Sequence, residues 1–376
     1  MPIRLGVVGL STNGGWAANS LIPPIFARPL SDSFIITALS TTSPTSAAAS
    51  AIHYGNLTKR EVKAYHGSTE AISADPDVDV VVISVKVTEH AAAAMPAIKA
   101  GKDIFVEWPL GKNLAEAKVI TQAAQERGVR TMVGLQSWQV PPFKKVQEWI
   151  EAGKIGRVIS TSWYALKIPD IGFNKPFVTA GYDYTIDPEN GATFLDISIA
   201  HNFSAVTRAL GRFRTLSATV VAGFREIKIA DALDSEDPRI IPSSLPDQWS
   251  ISGVLESGAL FSGTWLSLGK TLPVGQPSLV WEIVGTEGKI RIESDNPWTA
   301  VIPMSLPPEA VFLNGERISF VEENAAQTPS GRAWEMFAKG EPGSYPTFED
   351  AVEIHRLVDA VKKSSAEGRT VDVSEL

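Results

Sequence analysis

Residues 1–135 alternate short apolar runs with helical stretches, and this alternation limits the fold more than any other feature of the chain. The apolar runs are nearly continuous and rich in β-branched residues, as is typical of strands buried on both faces of a parallel sheet. Helical patterns over Glu89–Ala100 and Leu114–Arg127 lie between them. The alternation predicts right-handed βαβ units in a doubly wound Rossmann sheet. Its predicted strands are Ile3–Val8, Phe34–Leu39, Val78–Ser84, Asp103–Val106 and Arg130–Gly134.

From about Gly156 the pattern changes to longer strands in which polar and apolar residues alternate. Glu256–Gly258 and Thr286–Gly288 have the composition of hairpin turns. We therefore predict an N-terminal domain of residues 1–138 and a second, α+β domain of residues 139–376. The second domain is expected to contain a large, open, mostly antiparallel sheet and a final helix over Phe348–Ser365. Its predicted strands are Val158–Tyr164, Arg214–Val221, Trp249–Leu255, Ala259–Ser267, Leu279–Val284 and Lys289–Glu293.

The composition excludes several classes of protein. Hydrophobic residues at 44% and charged residues at 20% are typical of a folded globular chain, and 376 residues exceed one ordinary core. The net charge of -8 argues against a nucleic acid partner, because phosphate backbones are bound by dense Lys/Arg patches. No apolar run approaches the roughly 18 residues that cross a bilayer, and no secretory signal pattern is present. We expect a cytoplasmic protein with neither nucleic acid nor membrane as a partner.

The junction after the first predicted strand, GLSTNGGWA, is a candidate phosphate-binding loop. Dinucleotide-binding folds place G-x-G-x-x-G between such a strand and a helix, but here Ser11 replaces the second glycine. The helix is expected to begin near Gly15, where backbone amides bind an anion. A simple tight turn is the alternative interpretation. The predicted cofactor-binding loop consists of Gly9, Leu10, Ser11, Thr12, Asn13, Gly14, Gly15 and Trp16.

The end of the second predicted strand bears on the choice between NAD and NADP. NAD-specific domains carry Asp or Glu there for the ribose hydroxyls, whereas this strand ends in Ser40, Thr41 and Thr42. No carboxylate repels a 2′-phosphate, and the hydroxyl groups can bond it, although no arginine is present to clamp it. The sequence favours NADP as cofactor, with NAD as the alternative.

Longer motifs across the chain resemble the Gfo/Idh/MocA oxidoreductase family. They are DIFVEWPLGKNLAEAKVITQAAQERGV, GKIGRVISTSW, GATFLDISIAH, IVGTEGKIRIE and FEDAVEIHRLVDAVKKSSAEGRTV. The motifs VGLSTNGGW, FVEW and AAQERGV are similar to one branch, that of the fungal galactose-regulon repressor and its filamentous-fungal relatives. The family resemblance implies hydride transfer between nicotinamide and a hydroxyl or carbonyl, or an imine or enone, of a sugar-like or secondary-metabolite substrate. The branch implies an alternative, a non-catalytic NAD(P)-sensing transcriptional regulator that binds a protein partner.

Two motifs that carry chemistry in this family are altered. The resemblance implies a Glu-Lys-Pro turn, but this chain reads Glu107-Trp108-Pro109, and an indole donates no usable proton. Trp108 either packs behind the cofactor or stacks on it, and a cis bond before Pro109 is compatible with the motif. The family also places Asp four residues before a helical His, whereas Asp196 precedes His201 by five, a rotation of about 140° on a regular helix. Either a bulge returns Asp196 to the face of His201, or the histidine lacks that partner.

Four residues are candidates for the acid/base chemistry. His201 comes first, although a histidine in an apolar helix also occurs as a core residue. Lys86 stands where the family has proline, and it is either a replacement for the missing cation or a solvated loop lysine. Lys167 and Tyr184 belong to a segment that we expect to form a loop facing the cofactor. The resemblance places the following residues beside the cofactor: Val85, Lys86, His90, Glu107, Trp108, Pro109, Gln136 and Trp138.

Two further expectations concern metals and assembly. The sequence has no cysteine, and its five histidines show no pair with metal-ligand spacing, so no metal site is expected. Apolar residues occupy both faces of several strands after Gly156, as at Val254–Leu255, Leu260–Phe261 and Trp265–Leu266. Because an exposed apolar sheet face favours a symmetric partner, we expect a homodimer.

Overall fold

The computed structural model describes residues 1–320, 328–341 and 343–376. The chain divides into two compact units, Met1–Gln136 with Asn324–Glu353 and Ser137–Glu323 with Ile354–Leu376. The described strands, β1 to β18 in chain order, are Ile3–Val8, Phe34–Thr41, Lys63–His66, Val80–Ile83, Asp103–Val106, Thr131–Val133, Val158–Lys167, Phe177–Thr179, Phe213–Val221, Glu226–Ala230, Arg239–Pro242, Gln248–Leu255, Leu260–Ser267, Leu279–Gly285, Lys289–Ser294, Val311–Leu313, Glu316–Ile318 and Val371–Asp372. The α-helices, α1 to α10, are Leu30–Ser33, Pro44–Thr58, Glu70–Ala74, His90–Lys99, Leu114–Arg127, Pro141–Glu151, Ala200–Leu210, Pro297–Val301, Pro329–Lys339 and Phe348–Glu367.

The first unit contains a six-stranded sheet in the order β3-β2-β1-β4-β5-β6. Every neighbouring pair in it is parallel. This is the strand order of a Rossmann domain, and it confirms the predicted fold class. All four residues of β4, Val-Val-Val-Ile, are buried, because a central parallel strand is covered on both faces.

Several elements of the first unit were missing from the prediction, among them β3 and α2. Strand β3 reads Lys-Ala-Tyr-His and lies at the sheet edge with most of its residues exposed, so it has no apolar run to mark it. Helix α2 covers the Ser/Thr/Ala-rich segment after β2. The Ser43 hydroxyl accepts a hydrogen bond from the Ser46 amide at 3.2 Å, and Pro44 occupies the first helical position. A serine cap, a proline start and several alanines together favour a helix even without an apolar stripe.

Helix α9 returns to the first unit from a part of the chain that the sequence assigns to the second domain. Trp334 on this helix is fully buried, and its ring centroid lies 5.4 Å from that of Phe34 and 5.3 Å from that of Phe105. Its indole N–H donates to the Leu21 carbonyl at 3.2 Å. The first unit is therefore discontinuous in sequence, which a single boundary at residue 138 does not represent.

The second unit is built on a nine-stranded sheet in the order β17-β16-β15-β14-β7-β13-β12-β9-β18. Only β7 and β13 pair in parallel among these described strands. A separate three-stranded sheet has the order β11-β10-β8. One face of the large sheet is buried and carries Trp163, Trp265 and Trp281, each 1% exposed. The mostly antiparallel sheet confirms the predicted class of the second domain.

The opposite face of this sheet differs from the expected apolar surface. Ser217, Ser252, Ser262 and Ser162 lie side by side on β9, β12, β13 and β7 and form a polar row across it. Leu260, 60% exposed, is among the apolar residues that flank this row. Other apolar residues of the predicted patch, Leu255, Phe261 and Trp265, are buried on the helix-covered face. The exposed face is therefore a mixture of serines and apolar residues, because strand alternation sends neighbouring residues to opposite sides.

The burial of Trp334 yields a test of the discontinuous first unit. Trp334→Ala should lower the free energy of unfolding by about 3–5 kcal/mol, because it leaves a large cavity in the core. Trp298→Ala is the matched control, since Trp298 on α8 is 55% exposed. Chemical denaturation followed by circular dichroism measures both variants. Equal stabilities of the two variants would show that α9 is not part of this core.

Candidate nucleotide-binding and catalytic sites

Gly9 fixes the start of the candidate nucleotide loop at the carboxyl end of β1. Its N–H donates to the Ser40 carbonyl at 2.9 Å, and its φ is +96°. A Cβ at this position would lie 2.0 Å from the Ser84 carbonyl oxygen, so only glycine fits between the ends of β2 and β4. The sheet order changes direction at β1, which is where doubly wound sheets bind ligands.

Three backbone amides of the loop donate to other groups of the protein, whereas the sequence predicted that amides here would bind an anion. The Thr12 amide donates to the Ser50 hydroxyl at 3.2 Å and the Asn13 amide to the Ser11 hydroxyl at 3.1 Å. The Gly14 amide donates to the Ser11 carbonyl at 3.3 Å. At Gly15 the φ is +112° and no atom lies within 4 Å of an added Cβ, so the backbone is open to close approach there. Leu10, fully buried, anchors the loop.

The expected α-helix after the loop is absent. A single π-turn covers Ala17–Leu21, and a 3₁₀ turn covers Pro23–Phe26. Prolines at positions 23 and 24 have no amide hydrogen to continue a helix, which explains its early end. An anion here would be bound by local amides and hydroxyl groups, with little support from a helix dipole.

Three residues predicted to line the cofactor form one hydrogen-bonded cluster. The Trp16 indole N–H donates to Glu107 Oε1 at 2.7 Å, and Gln136 Nε2 donates to Glu107 Oε2 at 3.1 Å. Burial raises the pKa of Glu107 to about 8, so its carboxyl group is mostly protonated at pH 7. A Cβ at position 134 would lie 2.0 Å from Glu107 Oε2, so Gly134 makes room for the cluster. The cluster holds the half-exposed Trp16 ring over the loop.

His90 joins the loops that follow β4 and β5. Its Nδ1 lies 2.7 Å from the Pro109 carbonyl and its Nε2 lies 3.1 Å from the Val85 carbonyl. Burial lowers the pKa of His90, so the ring is neutral at pH 7 and donates through one nitrogen at a time. The Trp108–Pro109 peptide bond is cis, and Trp108 is buried.

The three residues expected to contact a 2′-phosphate differ in how far their side chains are buried. Ser40 is 1% exposed, and its buried hydroxyl makes no hydrogen bond to the described residues, so it is far less accessible than the other two. Thr41 is half-buried, with its hydroxyl 3.4 Å from the Ser43 carbonyl, and Thr42 is exposed. Lys86, in the loop after β4, is also exposed. Thr41 and Thr42 remain as the hydroxyl groups that a ribose or its phosphate can reach.

The central helix of the second unit contains a bulge, which was one of the two alternatives for the five-residue spacing of Asp196 and His201. A π-turn over Leu195–Ile199 precedes α7, and it accommodates the extra residue between the two side chains. Asp196 Oδ1 lies 2.7 Å from Lys362 Nζ, and Oδ2 accepts the Thr193 amide at 3.0 Å. Burial lowers the pKa of His201 to about 3, so its imidazole is neutral at pH 7. Lys362 was not predicted, because 166 residues separate it from Asp196.

Lys167 does not lie in a loop as expected. It is the last residue of β7 and fully buried, and its Nζ donates to the Asn174 carbonyl at 3.2 Å and the Lys175 carbonyl at 2.7 Å. Burial lowers the pKa of Lys167 to about 7. A fully buried amine that holds two backbone carbonyls has no path to a substrate, so its proposed role as proton donor was wrong.

Tyr184 and Trp138 occupy other parts of the second unit. Tyr184 lies in a 3₁₀ turn over Asp183–Ile186, and burial raises the pKa of its phenol. The Trp138 indole N–H donates to the Ser204 hydroxyl at 3.0 Å, and the Arg208 guanidinium lies 4.4 Å from its ring centroid. Trp138 thus belongs to the second unit, outside the dinucleotide domain in which the sequence boundary placed it.

Residues 1–320, 328–341 and 343–376 contain neither a metal-binding cluster nor a membrane-spanning helix. No cluster of three or more His, Asp or Glu side chains in these ranges has an arrangement that holds a metal ion. No helix in the same ranges is both long and apolar enough to cross a membrane.

Comparisons with known proteins match both units. Residues 3–135 match the family described as "Oxidoreductase family, NAD-binding Rossmann fold", and residues 141–294 match "Gal80p, C-terminal domain". The chain is 33% identical over 372 residues to "Dehydrogenase aclE" of Aspergillus oryzae, with 98% of this chain and 97% of the relative covered. It is 25% identical over 433 residues to the galactose/lactose metabolism regulatory protein GAL80 of Saccharomyces cerevisiae, covering 100% of this chain and 95% of that protein.

A solved structure extends the likeness to the whole fold. The crystal structure of a super-repressor mutant of Gal80p from Saccharomyces cerevisiae matches with a TM-score of 0.85 at 25% identity, covering 100% of this chain and 99% of that chain. The full-length similarity thus includes both a dehydrogenase and a regulator. The chain belongs to the Gfo/Idh/MocA oxidoreductase family, with an NAD-binding Rossmann domain followed by a domain of the Gal80p C-terminal type.

Proposed function

We propose that this protein is an NADP(H)-dependent oxidoreductase that transfers a hydride between nicotinamide and a small substrate. The substrate carries a hydroxyl or carbonyl group, or an imine or enone, and is sugar-like or a secondary metabolite. The observation that carries the proposal is the buried His201 on the central helix, which follows a π-turn that contains Asp196. The full-length similarity to "Dehydrogenase aclE" supports the same class.

The residues of the first unit fit a nicotinamide dinucleotide. Gln136 Oε1 is buried and makes no hydrogen bond to the described residues, so the carboxamide N–H of nicotinamide would satisfy it. The open backbone at Gly15 and the hydroxyl groups of Ser11 and Thr12 suit a pyrophosphate. Thr41 and Thr42 would hold the ribose and its 2′-phosphate. When bound, the cofactor supplies the hydride acceptor or donor at nicotinamide C4.

In the proposed reaction, His201 handles the substrate proton. A neutral imidazole would accept the proton of the substrate hydroxyl as the hydride leaves the carbon that bears this hydroxyl, and it would return the proton in the reverse direction. With a pKa of about 3, the imidazole of the unliganded protein is a weak base, so this role requires that the bound substrate and Asp196 raise the pKa of His201. The imidazolium that forms needs a negative partner in a buried site, and Asp196 is the carboxylate proposed for it. Tyr184 and Lys86 are the next candidates for this proton.

The second candidate function is that of a non-catalytic, nucleotide-sensing regulator, and the presence of Trp108 favours it. The family lysine is a cation at this turn, whereas the buried Trp108 provides neither charge nor proton. Under this reading, nucleotide binding at the Trp16 cluster would change the affinity for a protein partner, as the similarity to the Gal80p regulators implies. Turnover of a carbonyl or hydroxyl compound separates the two functions.

We also propose that two copies of the chain associate through the open face of the nine-stranded sheet. The serine row offers hydroxyl groups that both donate and accept, and Leu260 beside it offers apolar area to bury. A self-complementary row of this kind suits a two-fold dimer.

The first prediction from these proposals concerns the cofactor. NADPH should bind more tightly than NADH, and Thr41→Asp should reverse the order, because a carboxylate repels the 2′-phosphate and bonds a ribose hydroxyl. Calorimetry with both nucleotides measures this, and Thr42→Ser is a matched control that keeps the hydroxyl. A wild-type preference for NADH would contradict it.

A second prediction concerns catalysis. His201→Asn should lower kcat by roughly 10²–10⁴-fold with little change in nucleotide affinity, as expected for a lost acid/base group. Lys86→Ala should change kcat much less if its ammonium only contacts the cofactor. Nicotinamide absorbance at 340 nm, read against a panel of carbonyl compounds, provides the assay. Full activity of the His201 variant would remove this residue from the mechanism.

A third prediction concerns assembly. Light scattering at micromolar concentration should report a dimer, and Leu260→Asp should convert it to a monomer by placing a charge in the buried contact. Ile240→Asp is the control, because this residue is similarly exposed (49%) but lies on β11 of the separate three-stranded sheet. A monomeric wild-type chain would refute the dimer.

A further inference from the structure

The second unit contains a cavity of about 220 Å³ that the proposed chemistry does not use. It lies where β12 begins and β13 ends, against the segment that enters the central π-turn. Its walls are largely apolar, with contributions from Ile186, Phe194, Leu195, Leu245 and Trp249. At ~30 Å³ per water molecule, it has room for about seven water-sized groups.

Two residues that line this cavity each carry a buried side-chain donor with no partner among the described residues. The donors are the Asn174 side-chain nitrogen Nδ2 and the Trp249 indole nitrogen Nε1. Each of these two residues is only 6% exposed. A buried donor without an acceptor is costly, so a cavity with two of them is built to receive acceptor oxygens.

The charged groups at the cavity are already satisfied by the protein. Lys175 Nζ lies 3.4 Å from Asp247 Oδ2 and donates to the carbonyls of Leu245 at 2.5 Å and Phe224 at 2.8 Å. The Asp247 carboxylate also accepts the amides of Gly223 and Phe224 at 2.9 and 3.0 Å. Lys362, at the other side, pairs with Asp196. A charged ligand would enter without a counter-charge, and desolvation would oppose it.

From these observations, we infer that the second unit has a binding site for a small uncharged ring compound that carries one or two acceptor oxygens, such as a cyclic ketone or lactone. The apolar wall suits the ring, and the Asn174 and Trp249 donors suit its oxygens. A polyol is a poorer fit, because most of its hydroxyl groups would find no partner on an apolar wall. The site is built from the second unit alone, so binding there needs neither nucleotide nor turnover.

The test uses the full chain without nucleotide and cyclohexanone as the probe. Saturation-transfer NMR should show cyclohexanone bound in the millimolar range, as expected for a ligand with few atoms. Trp249→Phe keeps the aromatic wall but removes the N–H, and it should raise the dissociation constant by about fivefold to tenfold, the effect of one lost hydrogen bond. Trp298→Phe makes the same change at an exposed tryptophan and should have no effect.

A second variant tests the same site in case Trp249→Phe fails to fold. Asn174 has a φ of +63°, which aspartate tolerates, so Asn174→Asp keeps the backbone and replaces a donor with a carboxylate. This variant should abolish cyclohexanone binding, and thermal unfolding by circular dichroism confirms that it is folded. D-glucose and cyclohexanecarboxylate should not compete with the probe in the wild type.

Three results would overturn the inference. They are no binding of cyclohexanone, equal binding to Trp249→Phe and Trp298→Phe, and preferential binding of glucose or of the carboxylate. The first would mean that water alone satisfies the two donors. None of these results bears on the oxidoreductase proposal, because the experiment contains no nucleotide and measures no reaction.

Discussion

Removal of ionisable side chains from water is the constraint on which the rest of this structure depends. Burial shifts the pKa of Glu107 up to about 8 and the pKa values of Lys167 and His201 down to about 7 and 3. In each case the buried environment favours the neutral form, since charge without solvent is costly. Where charge persists in the interior, as at Lys175 and Asp247, the two groups are paired. The interior of both units is therefore close to electrically neutral at physiological pH.

This constraint shapes the chemistry that is available. A protonated Glu107 and a neutral His201 interact with neighbours through hydrogen bonds rather than through fixed charge. With Trp108 in place of a family cation, the turn after β5 adds no charge either. If the protein is the oxidoreductase proposed above, charge that develops in the second unit during turnover has to be balanced by groups there that keep a partner, such as Asp196. A binding protein faces no such demand, which is why turnover is the sharpest discriminator between the two functions.

Sequence reasoning was accurate where the signal was local. Apolar runs identified β1 and β5 to the residue, because all but the first one or two residues of each strand are buried. The short turns that replace the expected helix after the loop were not predicted, although the proline pair at positions 23 and 24 is a local signal against a helix. The burial of Lys167 was not predicted, because the side chain of a lysine at a strand end normally reaches water. Its two acceptors are carbonyls of a loop whose path depends on the whole second unit.

The long-range pairs explain the remaining errors. Ser40 and Thr41 are neighbours that face opposite sides of β2. The sequence of a strand end seldom reveals which side is buried unless the neighbouring strands and helices are known. The partners Asp196 and Lys362 are 166 residues apart. The family resemblance was confirmed, but the physical environment of each side chain depends on contacts that no single motif contains.

The discontinuous first unit also determines the order in which the protein can be completed on the ribosome. Residue Leu21 receives its hydrogen bond from Trp334, 313 residues later in the chain. Until α9 has emerged, the nascent Rossmann sheet exposes the apolar surface that Phe34 and Phe105 later share with that indole. Contacts of such sequence separation form late, and surface left open in the meantime is prone to aggregation. The interval in which this chain most needs chaperone protection thus lasts through synthesis of the entire inserted domain.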